Sequence, residues 1–113
     1  MSIFSKIFGH KSKNLNVKVL SPETYKTKIS NNKVQLVDVR TALEFKSGHL
    51  KNARNINFYS SNFVPQFNKL NKAEPLFIYC RSGSRSHQAS FKLAELGFEE
   101  IYDLKGGLLN WKA

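Results

Sequence analysis

The sequence contains one cysteine, and its neighbours suit the chemistry of a sulfur nucleophile. Cys80 follows the apolar run Leu76–Tyr79 directly and opens the segment CRSGSRS. Gly83 permits a tight curl in that segment, and in such a curl successive N–H groups converge and favour an anion. Arg81 and Arg85 add formal positive charge. Because all these features favour thiolate over thiol, we predict that Cys80 is a catalytic nucleophile.

The other residues of the segment are predicted to bind the substrate. Ser82, Ser84 and Ser86 provide hydroxyls that could complete the hydrogen bonding to sulfur or to a bound oxyanion. A helix that starts within the segment would add the positive end of its dipole. A lone cysteine is more often a small buried apolar residue, and serines before a helix are usually caps. The coincidence of strand end, tight loop, two arginines and helix start favours the catalytic interpretation.

Strand patterns along the chain predict a sheet that ends at this loop. Short apolar or β-branched runs predict five strands, at residues 17–20, 34–39, 55–58, 76–79 and 101–104. Helical patterns separate these strands, which is typical of an α/β fold with a largely parallel sheet and helices on both faces. In such sheets ligands lie beyond the carboxyl ends of the strands, where Cys80 stands.

Each helical pattern carries its own start or stop signal. Ser21 offers an N-cap, with Pro22 at the first helical position. Pro65 fits its helix only if it lies in the first turn. Asn31 and Asn32 supply a turn. The predicted helices run from Pro22 to about Ile29, from the Thr41–Glu44 capping box to Gly48, within residues 60–72, through the stripe of Ala89, Leu93 and Leu96 before Gly97, and from the Gly106–Gly107 turn through Trp111.

Length and composition fit one domain and exclude several classes of protein. A chain of 113 residues with 41% hydrophobic and 12% aromatic residues can bury one core and is not a disordered chain. One cysteine cannot form an internal disulfide or a cysteine-based zinc site. The apolar runs are too short for a transmembrane helix. No metal, nucleotide or flavin motif is present, so we expect no cofactor, and with no export signal we expect a cytoplasmic protein.

The net charge of +10 is concentrated near the N-terminus. Residues 1–33 carry seven lysines and one acid, a net of +6, so we treat residues 1–15 as a basic, weakly amphipathic extension of a domain spanning 16–113. Residues 1–9 could dock weakly on a membrane or a partner, but a frayed or core-docked terminus is favoured. The basic excess favours anionic partners. Nucleic acid is not expected, because no recognition helix, RNA-binding aromatic motif or zinc finger is evident.

Four separated segments resemble the rhodanese family of sulfurtransferases, in the family's order. The loop CRSGSRS after LFIY is similar to the active-site loop of single-domain rhodaneses. The segment VDVRTALEFKSGHLKNARNI resembles the family's first signature, and LGFEEIYDLKGGLLNW resembles its closing one. SPETYKTKI fits the family's start. The resemblance covers roughly residues 16–112 and implies a single rhodanese-like domain.

The resemblance also implies a persulfide mechanism of the thiosulfate sulfurtransferase type. The Cys80 thiolate would attack the outer sulfur of an anionic donor such as thiosulfate, and sulfite would leave. Cyanide or a thiol would then remove the sulfane sulfur, in a two-step covalent exchange. Arg81 and Arg85 would attract the donor, with Arg85 holding a sulfonate-type group by paired N–H bonds.

Two alternative functions stay open at this point. Cysteine phosphatases resemble this loop but place five residues between cysteine and arginine, whereas four, Arg81 to Ser84, precede Arg85 here. The shorter loop suits a sulfur atom better than a phosphate. The second alternative is a persulfide carrier or sensing module that delivers sulfur to a protein partner. Because the chain has no second cysteine, either sulfur-transfer function requires an external acceptor.

Several residues outside the loop have open roles. Asp38 and Arg40 resemble a family pair at a strand end, for which we favour a structural ion pair near the site. His49 and His87 could transfer protons or tune the thiol, but hydrogen bonding to a carbonyl is favoured for His49 and a solvated position for His87. Trp111 is expected to pack the terminal helix on the sheet, and nothing in the sequence fixes the direction of Arg54.

Overall fold

The computed structural model describes residues 15–31 and 33–112, which form one α/β unit. Strands and helices alternate along it, as the hydrophobic patterns predict. The strands are β1 (Val17–Leu20), β2 (Gln35–Asp38), β3 (Arg54–Asn55), β4 (Leu76–Tyr79) and β5 (Ile101–Leu104). The helices are α1 (Pro22–Asn31), α2 (Ala42–Lys46), α3 (Phe63–Phe67) and α4 (Ser84–Glu95), followed by a 3-10 helix at Gly107–Asn110.

The five strands form a single sheet in the order β1-β5-β4-β2-β3, with parallel pairing throughout. Strand β4 lies at its centre, with Ile78 opposite Val37 of β2 on one side and Asp103 of β5 on the other. The predicted fold class, a parallel five-stranded α/β sheet, is therefore confirmed. Cys80 follows β4, so it lies at the carboxyl edge, where the loops after β2, β4 and β5 meet.

Side chains of β4 alternate between two hydrophobic clusters, one on each face of the sheet. Leu76, Ile78 and Cys80 belong to the cluster that is covered by α3 and α4. Phe77 and Tyr79 belong to the other, which α1 covers through Tyr25. Because side chains of a strand point to opposite faces in turn, Cys80 faces α4. Helices therefore flank both faces, as predicted.

Local signals account for where most helices begin and end. The Thr41–Glu44 capping box is present, with both reciprocal hydrogen bonds. Pro65 is the third residue of α3 and lies in its first turn, where its missing N–H costs nothing. Gly97 follows the end of α4 with a φ of +107°, a conformation that glycine adopts readily.

Some predicted boundaries differ from those in the structure. Asn31 is the last residue of α1 and not part of a turn. Helix α3 covers five residues of the predicted span 60–72, because the chain leaves the helix after Asn68 in short turns. Strand β3 ends at Asn55, before the predicted segment 55–58 is complete. The terminal helix is a 3-10 helix that ends at Asn110, one residue before Trp111.

Residues 1–14 of the basic N-terminal extension, including the predicted docking segment at residues 1–9, lie outside the described residues. Among residues 15–31 and 33–112, no helix has the length and apolar character needed to cross a membrane.

Candidate active site

Cys80 lies at the base of the loop between β4 and α4, fully buried from solvent. Two backbone N–H groups donate to its sulfur: that of Gly83, with an N···Sγ distance of 3.1 Å, and that of Ser86, at 3.3 Å. Both N–H groups belong to the start of α4, for which Gly83 is the N-cap residue and provides no side-chain cap. The sulfur therefore takes the place of a capping side chain, accepting hydrogen bonds from donors that have no partner within the helix.

The dipole of α4 adds to these two hydrogen bonds at the sulfur. The first turn of a helix carries partial positive charge, and α4 is 12 residues long. Hydrogen bonds from backbone N–H groups are stronger to a charged acceptor than to a neutral one. The converging donors predicted from the sequence are thus present, and they point at Cys80 itself.

Glycine at position 107 allows the terminal segment to support this loop. A Cβ atom there would lie 2.4 Å from the carbonyl oxygen of Arg81 and 2.7 Å from that of Cys80. The close approach lets the N–H groups of Leu108 and Leu109 donate to those two carbonyls, each at 3.0 Å. The Gly106–Gly107 segment, predicted only as a turn, therefore holds the first two residues of the loop.

Arg85 forms a paired salt bridge with Glu44 of α2. Its two terminal nitrogens donate to the two carboxylate oxygens over 2.7 and 2.9 Å. The hydrogen bonds from Arg85 lower the pKa of Glu44 to about 2, and Thr41 contributes further despite the opposing effect of burial. The expected paired bonds from Arg85 to a donor are therefore occupied by Glu44. Sequence reasoning missed this role of Glu44, since its capping-box spacing already explained the residue.

The three serine side chains of the loop do not contact the sulfur. Ser82 and Ser84 are exposed, and the Ser86 hydroxyl lies 3.4 Å from the carbonyl oxygen of Gly83. Within the described part of the chain, both hydrogen-bond donors to Cys80 Sγ are backbone groups. The expected hydroxyl donation to sulfur is thus absent there. Arg81 is exposed at the surface of the loop.

Asp38 and Arg40 form a buried ion pair at the end of β2. The Arg40 Nη2 atom lies 2.7 Å from Oδ2 of Asp38 and 2.6 Å from the carbonyl oxygen of Gly48. The guanidinium also lies over the Tyr79 ring, 5.9 Å from its centroid. Tyr79 belongs to the face opposite Cys80. The pair therefore ties the end of β2 to the segment after α2, without contacting the sulfur.

The remaining candidates lie apart from the sulfur. His49 is exposed, stacks on Phe45 and has Nδ1 2.8 Å from the Phe45 carbonyl oxygen, as the structural interpretation predicts. Arg54 lies in β3 and lines a groove with Lys33 and Lys51. Trp111 packs edge-to-face against Tyr25 at 6.1 Å.

His87 lies beside a buried acid that sequence reasoning missed. Its Nδ1 atom is 3.6 Å from Oδ2 of Asp103, whose side chain is 3% exposed. Asp103 occupies a position in β5 between apolar residues, so a strand pattern alone does not distinguish it from a core residue.

Among the described residues, no group of three or more histidines, cysteines or acids could hold a metal ion.

Comparison with known proteins gives the family. The rhodanese-like domain family matches residues 21–113, most of the chain, which therefore belongs to the rhodanese-like family. Such a domain places the protein among the sulfurtransferase-like proteins. A solved rhodanese-like domain protein from Staphylococcus aureus is 31% identical, with a TM-score of 0.74, over 84% of this chain and 91% of that one. A human single-domain sulfurtransferase has the same fold, with 23% identity and a TM-score of 0.67.

Curated relatives differ in length and in what they are called. The uncharacterized protein YqhL of Bacillus subtilis is 37% identical over 84% of this chain and 72% of its own length. A tRNA uridine(34) hydroxylase of Pelagibacter ubique is 32% identical over 88% of this chain. This chain spans only 34% of the length of that hydroxylase.

Proposed function

We propose that the protein is a sulfurtransferase that moves a sulfane sulfur from an anionic donor such as thiosulfate to a thiol or cyanide through a persulfide on Cys80. One observation carries the proposal: the only cysteine of the chain has its sulfur at the N-terminus of α4, facing two backbone N–H groups. Such an arrangement stabilises the thiolate, which is the nucleophilic form of cysteine.

The reaction consists of two displacements at sulfur. The Cys80 thiolate attacks the outer sulfur of thiosulfate; a new S–S bond forms, the donor's S–S bond breaks, and sulfite leaves with the electron pair. Cyanide or an acceptor thiolate then attacks the outer sulfur of the persulfide, and Cys80 leaves again as a thiolate. Because the same N–H groups face the sulfur at both stages, they stabilise the charge that returns to it in the second step.

Positive charge at the loop supports an anionic donor. Arg81 is exposed, and its charge attracts an anion to the surface of the loop. Arg85 uses two of its five N–H donors on Glu44, which leaves others for the donor. We infer that Glu44 positions Arg85 for this contact. The chemistry needs no cofactor.

Burial of Cys80 adds one requirement to the mechanism. Because the residue has no exposed surface, a donor reaches the sulfur only when part of the loop 81–85 moves. Arg81, Ser82 and Ser84 are the exposed residues of that segment. Small donors are therefore expected to react faster than bulky ones.

A second candidate function is a carrier that passes its persulfide to a protein partner. The lone cysteine is compatible with it, because a chain without a second thiol cannot release its persulfide as an internal disulfide and needs an external acceptor. A thiol-containing partner, in a reducing compartment such as the cytoplasm, would then be the acceptor. Hydroxylation is not proposed, since this chain matches only about a third of the hydroxylase that it resembles.

Steady-state kinetics with thiosulfate and cyanide test the proposal. We expect turnover with parallel double-reciprocal lines, the pattern of a two-step exchange, and no turnover by the Cys80→Ser variant. Ser61→Ala, an exposed substitution in the loop before α3, serves as the matched control and should keep full activity. Turnover by Cys80→Ser would contradict the mechanism. Slow turnover with cyanide but rapid transfer to a thiol would favour the carrier, and activity on an aryl phosphate alone would favour a phosphatase.

A further inference from the structure

Asp103 is a buried acid that the proposed mechanism does not use. Asp103 lies in β5, where it pairs with Ile78 of β4. Ile78 precedes Cys80 by two residues. Asp103 shares a face of the sheet with Ile78 and Cys80, because Tyr102 and Leu104 on either side of it belong to the opposite face. Strand spacing puts the Cα atoms of Asp103 and Cys80 about 8 Å apart.

Few hydrogen bonds and charged groups stabilise the negative charge of the Asp103 carboxylate. Its Oδ1 atom is buried and has no hydrogen-bond partner among the described residues. Its Oδ2 atom lies 3.6 Å from Nδ1 of His87, a distance that suits an ion pair but not a hydrogen bond. Burial raises the pKa of Asp103 to about 6, although Ser86 and His87 act in the opposite direction. A buried carboxylate oxygen without a hydrogen-bond partner is rare enough to need an explanation.

His87 connects this acid to the loop that holds the sulfur. It lies in the first turn of α4, next to Ser86, whose N–H donates to Cys80 Sγ. Its imidazole is half-exposed and packs edge-to-face on Phe91. Protons from solvent can therefore reach the imidazole, whereas the Asp103 carboxylate is enclosed.

Other ionisable groups near Asp103 do not replace His87 as its partner. Tyr25 of α1 lies on the opposite face, where its hydroxyl donates to the carbonyl oxygen of Ile78. Burial raises the pKa of Tyr25 well above its usual range, so Tyr25 stays neutral. Asp38 of β2 is paired with Arg40. Arg85 of α4 is close enough to act on Cys80, but its guanidinium is paired with Glu44. Cys80 lies on the face of the sheet that Asp103 shares with α4.

We propose that Asp103 and His87 form a proton-binding pair behind the Cys80 loop, and that the charge of this pair sets the pH range in which Cys80 becomes a thiolate. With two protons bound the pair carries a charge of +1, with one proton it is neutral, and with none it carries −1. Loss of the last proton puts a buried negative charge near the sulfur and opposes the thiolate.

The proposal rests on the proposed function only in taking Cys80 as the reactive thiol. Asp103 and His87 do not touch the sulfur, so they are positioning residues that act through charge. Their effects on Cys80 should have opposite signs, which distinguishes charge from a general loosening of the fold.

The test measures thiolate formation directly, by ultraviolet absorbance as a function of pH. The Cys80→Ser variant is the blank, and the single cysteine makes the signal unique. We expect Asp103→Asn to lower the pH midpoint of thiolate formation by about one unit, as removal of a charge at this distance predicts. His87→Gln should raise the midpoint, by a smaller amount. Glu95→Gln, which makes the same charge change at the exposed far end of α4, should leave it unchanged.

A second measurement shows whether a substitution has disturbed the fold of the variant. Nuclear magnetic resonance of the backbone amides should show that Asp103→Asn keeps the wild-type fold. An unchanged thiolate midpoint in a folded Asp103→Asn protein, or shifts of the same sign in the two variants, would overturn the proposal. Neither readout requires sulfur transfer, so a failure of the proposed function would be recognised separately by its kinetics.

Discussion

At the scale of single residues, the environment of Cys80 Sγ depends on the backbone more than on side chains. The N–H groups of Gly83 and Ser86 lie 3.1 and 3.3 Å from the sulfur, and the serine hydroxyls of the loop bond elsewhere or face solvent. Unless the new residue is proline, a substitution leaves a backbone N–H donor in place. Substitution of Ser86 by alanine should therefore affect the sulfur far less than a change in the course of the loop.

Glu44 is the side chain that most directly orders the arginine of the loop. We expect Glu44→Gln to lower the free energy of unfolding by about 1–2 kcal/mol at pH 7, since the partly buried paired bridge to Arg85 is lost. The folded pKa of Glu44, about 2, lies below its usual value of 4.5. The stabilisation is therefore complete above pH 4.5 and is lost as the pH falls towards 2.

Urea denaturation of both proteins at several pH values checks this prediction. The difference between wild type and Glu44→Gln should shrink steadily as the pH decreases from 4.5 to 2. Glu23→Gln, an exposed substitution in the first turn of α1, is the control and should show little difference at any pH. A Glu44→Gln difference that does not vary with pH would mean that the bridge does not stabilise the fold.

At the scale of elements, three elements fix the loop after β4. Helix α4 supplies the donors to the sulfur, and the 3-10 segment donates from Leu108 and Leu109 to the carbonyls of Cys80 and Arg81. Helix α2 adds the Glu44 bridge to Arg85. The geometry of the sulfur site thus depends on three elements that are far apart in the sequence.

Gly107→Ala tests the contact between the 3-10 segment and the loop. Its new Cβ would overlap the Arg81 carbonyl oxygen, and its φ of +62° disfavours a side chain, so we expect a destabilisation of about 2–4 kcal/mol and a large loss of sulfur-transfer rate. Gly97→Ala is the matched control: its φ is also positive, but the nearest atom is a lysine side-chain carbon at 3.6 Å. It should cost about 1 kcal/mol and leave the rate unchanged.

Both glycine variants are measured by thermal unfolding and by the thiosulfate assay at a temperature where each is folded. Equal rate losses in the two variants would show that strain alone, and not the contact with the loop, explains the effect.

The sequence predicts local features well because their causes are local. Strands β4 and β5 have the predicted bounds, since each is a four-residue run made mostly of large aliphatic and aromatic residues. The Thr41–Glu44 capping box needs only three residues of separation. By contrast, Glu44 meets Arg85 across 41 residues, and Asp103 meets His87 only because β5 lies next to β4. Such contacts depend on strand order and register, which no single segment specifies.

At the scale of the whole molecule, the strand order places Cys80 at the centre of the sheet's carboxyl edge. Strand β4 has neighbours on both sides, and the side chains of β4 are buried on both faces. Cys80, at the end of this strand, therefore lies on a well-packed base. The net charge of +10 favours association with anions in general.

Membership of the rhodanese-like family and the position of Cys80 lead to one central claim, that Cys80 carries sulfur as a covalent persulfide. Intact-mass measurement after treatment with thiosulfate tests it most directly. We predict that the chain gains the mass of one sulfur atom, that cyanide removes it, and that Cys80→Ser gains nothing. An unchanged mass in folded wild-type protein, or the same gain in Cys80→Ser, would contradict the claim.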